Sequence, residues 1–318
     1  MIVPTAVVTG GAGFIGSELV SHLVEAGWHV IVIDNLATGR WENLDGLGGI
    51  ERRTMDVREV RELPEASVVF HLACLGVRHS LHSPRETHEV NATGTLTLLE
   101  AARASGVKRV VHVSSSEIYG TAQTVPMTEE HPAFPSTPYG ASKLAGEAYA
   151  RAYHLSYGLP VVVVRPFNTY GPRGHHEADS GEVIPKFLLR ARVGLPLVIF
   201  GDGEQTRDFT YVSDTARGIL AAGVRAGVVG RTFNLGSGRE TSINMLTRLC
   251  GGEAVREAPR PGDVRRLVAD STLARELLGF EARVGLEQGL ERLRTWYARP
   301  HASAEDLLRE EIVHNWLK

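Results

Sequence analysis

Short apolar runs alternate with segments of helical periodicity through the first half of the chain. An apolar run at residues 6–8 precedes a glycine-rich turn, a helically spaced segment at 19–26 and a second apolar run at 29–33. This order predicts a strand, a turn, a helix and a strand, which together match a βαβ unit of about 30 residues.

The alternation continues as far as residue 165. Apolar runs at 68–70, 110–114 and 159–165 predict strands, and the segments 93–104 and 142–154 predict helices. Strands and helices in strict alternation are typical of a parallel, doubly wound sheet. We therefore predict an α/β protein with a Rossmann-type doubly wound parallel sheet.

After Arg165 the pattern becomes irregular and predicts a smaller, mixed C-terminal substrate-binding lobe. Segments 166–182 and 251–263 are rich in Pro, Gly and polar residues and are predicted loops, whereas 183–192 is predicted helical and 196–203 a strand and turn. We expect residues 1–170 to form the first domain, with 205–237 returning to it through a strand at 232–235. Residues 171–204 and 238–318 are expected to form the second lobe.

The tail at 301–318 has Leu308, Ile312 and Trp316 at four-residue intervals, which predicts a helix. That helix is expected to cap its own domain, and a partner-binding role is the alternative.

Composition narrows the class of protein. The chain has 318 residues, 43% hydrophobic and 22% charged, which is typical of a globular protein. A net charge of −3 provides no basic field for nucleic acid or anionic lipid, and no apolar run approaches the length of about 20 residues that spans a bilayer. Two cysteines, Cys74 and Cys250, form no disulfide framework. We expect a cytoplasmic protein with no signal peptide, no metal, and neither nucleic acid nor membrane as partner.

The turn after the first strand has the pattern of a dinucleotide site. Gly11, Gly13 and Gly16 form a GxGxxG motif, which allows a tight turn, close approach to a pyrophosphate and close helix packing. Asp34 ends the second strand, where its carboxylate can accept hydrogen bonds from a ribose and repels a 2′-phosphate. The motif therefore predicts NAD rather than NADP. Asp56 and Val57 follow the third strand and are predicted to meet the adenine.

Tyr139 and Lys143 are four residues apart on a predicted helix and therefore share a face. A nearby ammonium and a positive nicotinamide ring are expected to lower the phenol pKa from its reference of about 10. Tyr139 is then a general base for a sugar hydroxyl, and Lys143 also holds the nicotinamide ribose. A hydroxyl from the serine run 114–116 at a strand end can bridge the substrate oxygen and Tyr139.

Several segments, taken in order, resemble the extended short-chain dehydrogenase/reductase family and, within it, the NAD-dependent nucleotide-sugar epimerase/dehydratase group. These are the turn at 9–16, His71-Leu72-Ala73, Asn91 with Gly94-Thr95, the serine run, Tyr139 with Lys143, and the segment 165–172. The resemblance extends over nearly the whole chain except the last eighteen residues.

The resemblance implies a bound NAD, a nucleoside diphosphate sugar as partner and transient oxidation of that sugar at C4. It places Ser115 in the catalytic serine/threonine position. It implies cofactor contacts from Gly10, Gly13, Phe14, Ile15, Gly16, Asp34, Asn35, Asp56, Val57, Leu72, Ala73, Asn91, Tyr139, Lys143 and Pro166. It implies substrate contacts from Arg78, Ser116, Asn168, Arg207, Arg260 and Asp263. A homodimer formed through the helices 93–104 and 142–155 is also implied.

Glu117 distinguishes the possible reactions. Dehydratases and decarboxylases of the group have Glu at this position, where it can remove the C5 proton, so 4,6-dehydration is our first expectation. Ser116 replaces the Asp that acts as general acid in dTDP-glucose dehydratases, and Arg78 lies in a segment similar to uronic-acid 4-epimerases. The alternative is therefore 4-epimerisation of a UDP-sugar. Decarboxylation of UDP-glucuronate and a non-catalytic NAD-binding regulator are further alternatives.

Overall fold

The structure is a computed structural model that describes residues 3–178, 180–299 and 303–317. The strands are β1 (Thr5–Thr9), β2 (His29–Asp34), β3 (Ile50–Thr54), β4 (Val68–His71), β5 (Val110–Val113), β6 (Val161–Pro166), β7 (Thr169–Tyr170), β8 (Leu197–Phe200), β9 (Thr206–Asp208), β10 (Thr210–Tyr211), β11 (Thr232–Leu235), β12 (Glu240–Ser242) and β13 (Ala254–Glu257). The helices are α1 (Phe14–Glu25), α2 (Val77–His82), α3 (Pro84–His88), α4 (Gly94–Ser105), α5 (Pro138–Tyr157), α6 (Val183–Arg192), α7 (Val212–Val224), α8 (Ile243–Cys250), α9 (Thr272–Leu278), α10 (Leu286–Tyr297) and α11 (Ala304–Leu308).

A seven-stranded parallel sheet forms the first lobe, with the strand order β11-β6-β5-β4-β1-β2-β3. The order reverses between β1 and β4, so the chain winds outward in both directions from the centre. The predicted α/β, doubly wound fold class is confirmed. The strand predicted at 232–235 is β11, which pairs with β6 at the sheet edge.

Both faces of the sheet are buried. Successive side chains of a strand point to opposite faces, and each face packs in its own core cluster. Val8 of β1 packs in one core cluster with Leu19 of α1 and Ile219 of α7. Its neighbour Val7 packs in a separate cluster with Leu98 of α4. Helices therefore cover the two faces of the sheet, and its strands are apolar at consecutive positions rather than alternating ones.

The second lobe has a separate apolar core built from α6, β8, α8 and α10, with Phe187, Leu197, Leu246 and Leu293 among its buried residues. Three two-stranded sheets support it: β8 with β13, β9 with β12, and β7 with β10. The prediction that 251–263 is a loop is wrong in part, since β13 lies within this segment and pairs with β8. Backbone pairing to a neighbouring strand orders this segment despite its Pro and Gly content.

The predicted helix at 301–318 is also wrong in part, and residues 301, 302 and 318 lie outside the described residues. Helix α11 ends at Leu308, and 309–317 consists of turns and a single β-bridge. Ile312 is 45% exposed whereas Trp316 is 9% exposed, so the apolar spacing does not form one helical face. The helix ends because the backbone of this segment bonds to the second lobe, where Ala178 N donates to Glu310 O at 2.7 Å.

Helix α5 has clear start and stop signals. Thr137 caps its N-terminus by accepting a hydrogen bond from Gly140 N at 3.1 Å, and Pro138 occupies the first turn. Gly158 ends the helix in the left-handed region with φ of 69°.

Among the described residues, no helix combines the length and apolar character needed to cross a membrane.

A buried ion pair joins α5 to the sheet. Arg165 on β6 donates to both carboxylate oxygens of Glu147 on α5, at 3.1 and 2.6 Å, and the side chains are only 4% and 1% exposed. Arg165 also donates to the hydroxyl of Tyr119 at 2.5 Å and the carbonyl of Glu129 at 2.9 Å. Burial alone would raise the pKa of Glu147, but the hydrogen bonds and charge of Arg165 outweigh burial and lower it.

We predict that Glu147→Ala destabilises the protein by about 3–5 kcal/mol, because it leaves the Arg165 guanidinium buried without its counter-charge. The free energy of unfolding from urea denaturation measures this effect. Arg151→Ala is the matched control: Arg151 pairs with the same carboxylate at 2.7 Å, but its side chain is 47% exposed. That change should cost less than about 1 kcal/mol. Equal losses for the two variants would contradict a structural role for the buried pair.

Candidate active site

The turn between β1 and α1 forms the base of a cleft of about 380 Å³. Gly10 has φ of +70°, and a Cβ at this position would lie 2.7 Å from Ala73 N. A Cβ at Gly16 would overlap the carbonyl oxygen of Gly10. The turn is therefore closed to larger residues, and it directs the N-terminus of α1 into the cleft, where N–H groups and the helix dipole favour phosphate.

Asp34 lies beside this turn at the end of β2 and is buried. Its oxygens accept hydrogen bonds from Ala12 N at 3.0 Å and Leu36 N at 2.9 Å. Burial raises the pKa of Asp34, against the lowering effect of these bonds. Each carboxylate oxygen can accept a further hydrogen bond, and Asp34 and Asn35 both line the cleft. The glycine cradle and this carboxylate therefore fit a dinucleotide.

Most of the predicted cofactor residues line the same cleft, and two do not. Those that do are Gly10, Gly13, Phe14, Ile15, Gly16, Asp34, Asn35, Val57, Leu72, Ala73, Tyr139, Lys143 and Pro166. Asn91 is buried behind the wall, where its amide bonds both backbone groups of Leu75 and the hydroxyl of Ser142. It positions the loop after β4 against α5.

Asp56 likewise does not line the cleft. It accepts hydrogen bonds from the backbone and guanidinium of Arg58 at 2.8–2.9 Å and from Asn35 Nδ2 at 2.9 Å. The bond to the Arg58 side chain is the main cause that lowers the pKa of Asp56 to about 2. The carboxylate serves as a turn cap here, and a direct adenine contact remains a prediction.

Tyr139, Ser115 and Lys143 come together at the centre of the cleft. Tyr139 is in the first turn of α5 and hydrogen-bonds to Ser115, which follows β5. Lys143, one helical turn later, is 2% exposed and donates to Val113 O at 2.6 Å. The predicted shared face of Tyr139 and Lys143 and the hydroxyl at the strand end thus form one cluster.

The expected lowering of the Tyr139 pKa is not found in the protein's own charges. Burial raises the pKa of this phenol strongly, and only the hydrogen bond from Ser115 opposes the shift appreciably. Burial also lowers the pKa of Lys143. The ammonium is bonded to the Val113 carbonyl, so it offsets little of the cost of an ionised phenol in this buried position.

Three charged side chains project into the cleft near Tyr139. Arg78, Glu117 and Glu182 all line it, and within the described ranges none of their charged groups has a hydrogen bond or ion pair. Burial is the main cause that raises the pKa values of both carboxyls and lowers that of Arg78 to about 10. These groups are available to a polar ligand.

The cleft continues into a second compartment of about 150 Å³, which we call the distal compartment. Arg78, Glu117 and Asn168 line both parts, and Arg207, Arg260 and Asp263 line the distal part. Asp263 Oδ1 accepts from Arg207 at 2.5 Å and from Arg260 at 2.8 Å. This pairing holds two guanidinium groups side by side, an arrangement suited to a diphosphate.

Two further observations concern the predicted substrate residues. Asn168 Oδ1 is buried without a hydrogen-bond partner in the described part of the chain, which is consistent with a ligand contact. Ser116 is 3% exposed and lines the cleft beside Glu117.

Across the described ranges, no group of three or more His, Cys, Asp or Glu could hold a metal ion.

The sequence did not single out Glu182 or Lys186, which line the cleft and the distal compartment respectively. Burial lowers the pKa of Lys186 to about 8, with a smaller contribution from Arg78. Glu182 is at the end of the irregular segment 166–182, where no periodicity indicates which side chains face inward. Lys186 lies in a correctly predicted helix, and only the position of that helix beside the cleft shows its importance.

A parallel Rossmann-type sheet, a glycine turn that fits a dinucleotide and a Tyr-Lys-Ser cluster define an NAD-dependent enzyme that acts on a hydroxyl or carbonyl group. The model of the NAD-dependent epimerase/dehydratase family matches residues 6–236. The chain belongs to this family of NAD-dependent nucleotide-sugar epimerases and dehydratases.

Individual relatives show the same relationship. The chain is 40% identical to a UDP-glucose 4-epimerase from Mycolicibacterium smegmatis, over 89% of this chain and 95% of that protein. It resembles the crystal structure of UDP-glucose 4-epimerase from Thermotoga maritima with UDP-glucose, at 36% identity and a TM-score of 0.87, covering 92% of this chain and 98% of that one. The structure of a dTDP-glucose 4,6-dehydratase from Streptomyces venezuelae with NAD bound has 33% identity and a TM-score of 0.88. The match covers 95% of this chain and 99% of that one.

We predict that Tyr139→Phe lowers kcat about 10²–10⁴-fold, the usual contribution of a general acid–base. Steady-state product formation from a nucleotide sugar measures the loss. NAD content and melting temperature should stay at wild-type values, because only one hydroxyl is removed. Tyr149→Phe on the same helix, at a tyrosine that is 41% exposed, is the control and should leave kcat unchanged. Wild-type turnover by Tyr139→Phe would exclude Tyr139 as the base.

Proposed function

We propose that this enzyme is a UDP-sugar 4-epimerase. The observation on which the proposal rests is the pair of neighbouring residues Ser116 and Glu117 in the cleft. Dehydration needs a base at C5 and an acid for the departing C6 hydroxyl, and Ser116 has a neutral hydroxyl rather than a carboxyl at this strand end. Epimerisation needs neither group. The UDP-glucose 4-epimerases among the relatives support the same assignment.

The chain's own residues account for the proton transfers. Tyr139, bonded to Ser115, takes the proton from the C4 hydroxyl and later returns it to the C4 oxygen. Lys143 is fixed by the Val113 carbonyl beside the same site, and we assign it to the nicotinamide ribose. When bound, NAD would supply the acceptor and donor for the C4 hydrogen.

Inversion at C4 requires the keto sugar to present its other face to the cofactor. Arg207 and Arg260 lie in the distal compartment, away from Tyr139, so they can hold the diphosphate while the sugar turns. The sugar end is bounded by Arg78, Glu117 and Glu182, whose charged groups have no partners among the described residues. These groups can therefore exchange contacts with sugar hydroxyls in either orientation.

Dehydration at C4 to C6 is the second candidate, and one observation favours it. Glu117 and Glu182 line the same cleft, and burial raises the pKa values of both. A pair of carboxyls of this kind can divide the roles of C5 base and acid for the leaving hydroxyl. The 4,6-dehydratase from Streptomyces venezuelae shows that the same fold accommodates that reaction.

Mass spectrometry of the products distinguishes the two reactions. We predict that the enzyme converts UDP-glucose or UDP-galactose into an isomer of unchanged mass. Glu117→Gln should keep this activity, because epimerisation uses no base at C5, whereas Tyr139→Phe should lose it. A product lighter by one water, from a UDP- or dTDP-sugar, together with loss of activity in Glu117→Gln, would establish dehydration instead.

We also propose that the protein forms a homodimer through α4 and α5. Leu155 and Tyr157 on α5 are 82% and 56% exposed, and Arg103 of α4 packs over the ring of Tyr157 at 4.6 Å. These exposed side chains lie on the two helices through which we expect the subunits to pack.

A further inference from the structure

The C-terminal tail, residues 303–317, is held on the second lobe by specific contacts. Glu311 pairs with Arg190 of α6 at 2.7 Å, and these side chains are 9% and 11% exposed. Lys186 of the same helix donates to Ile312 O at 2.7 Å. Asn315 is 3% exposed and donates to Gly181 O at 3.1 Å. The tail is therefore anchored beside α6 and the loop before it.

An aromatic contact places the tail against the wall of the distal compartment. Trp316 packs edge-on against Phe200, with ring centroids 4.7 Å apart, and Phe200 lines the compartment. Aromatic edge-to-face pairs stabilise packing beyond the effect of burial alone. The tail therefore helps to fix the position of Phe200.

The tail also contributes side chains of its own to the distal compartment. Glu311, Val313 and Asn315 line it together with Arg207 and Arg260. Ile312, between Glu311 and Val313, does not line it and is 45% exposed. Glu311 and Val313 thus face the compartment, whereas Ile312 between them faces the solvent.

The order of groups along the cleft indicates that a nucleoside occupies the part of the distal compartment beside the tail. This assignment rests on the proposed nucleotide-sugar function. The sugar C4 must lie at Tyr139, and the diphosphate is placed next, at Arg207 and Arg260. The nucleoside then extends into the rest of the distal compartment, which is bounded by Phe200 and the tail. An aromatic ring, an aliphatic side chain and an amide are suited to a base and its polar edge.

We propose that the tail is a functional wall of the substrate site and that Val313 and Asn315 determine how the nucleoside is held. The tail lies beyond residues 6–236, which the family model matches, and within the last eighteen residues, to which the family resemblance does not extend. A side chain that projects from position 313 into the compartment should exclude the nucleoside without affecting the dinucleotide turn.

Isothermal titration of the NAD-loaded enzyme with UDP, and separately with dTDP, tests this proposal. Val313→Trp should weaken binding of the preferred nucleotide about tenfold or more, because the indole occupies the nucleoside space. Ile312→Trp is the matched control, since it adds the same ring one residue away on the solvent side. Its binding should remain within about twofold of wild type, as expected for a surface substitution.

A second pair of variants tests the same two positions in case Val313→Trp does not fold. Val313→Glu places a charged carboxylate in the nucleoside space and should weaken binding similarly, whereas Ile312→Glu should not. NAD content and melting temperature should match wild type in every variant that is compared. Wild-type nucleotide affinity in both Val313 variants, or equal loss of UDP and NAD, would overturn the role of the tail. A wild-type enzyme that binds neither UDP nor dTDP would overturn the nucleotide-sugar function and this inference with it.

Discussion

The buried ion pair between Arg165 and Glu147 is the interaction on which the geometry of the site depends. Helix α5 has Tyr139 and Lys143 in its first two turns, and Glu147 one turn further along. The same guanidinium contacts Tyr119, the last residue of the short 3₁₀ turn that begins at Ser116. One buried cation on β6 therefore fixes both elements that bear the catalytic groups. Such a pair is costly to bury, but once formed it permits little variation in geometry.

Burial also sets the chemistry of the cleft. It raises the pKa values of Tyr139, Glu117 and Glu182 and lowers those of Lys143 and Arg78. Each group is therefore less disposed to be ionised than it would be in water. A ligand that brings opposite charge or hydrogen-bond donors will be stabilised by these groups, and the cleft is adapted to a charged cofactor and a diphosphate.

The fold could be predicted from the sequence, and most of the residues assigned to the site line the cleft, because their patterns are local. Valines at 161–164 indicate a strand buried on both faces, and the glycine motif indicates the dinucleotide turn. The pKa shift of Tyr139 could not be predicted, since it depends on burial by distant segments. The contacts of Glu182 and of the tail could not be predicted for a related reason. They join residues far apart in the chain, and no periodicity marks them. Asn91 was predicted to contact the cofactor, but its amide bonds to Leu75 and Ser142 behind the wall of the cleft.

The reaction itself depends on where the sugar's C4 hydrogen goes, and an isotope label follows that atom directly. The measurement is the position of deuterium, by NMR, in the product formed from UDP-glucose labelled with deuterium at C4. We expect a C4 epimer that retains the deuterium at C4, because the same site removes and returns the hydrogen without exchange with water. Deuterium at C6 would show that the enzyme dehydrates, and deuterium released to solvent would contradict oxidation at C4 within a closed site.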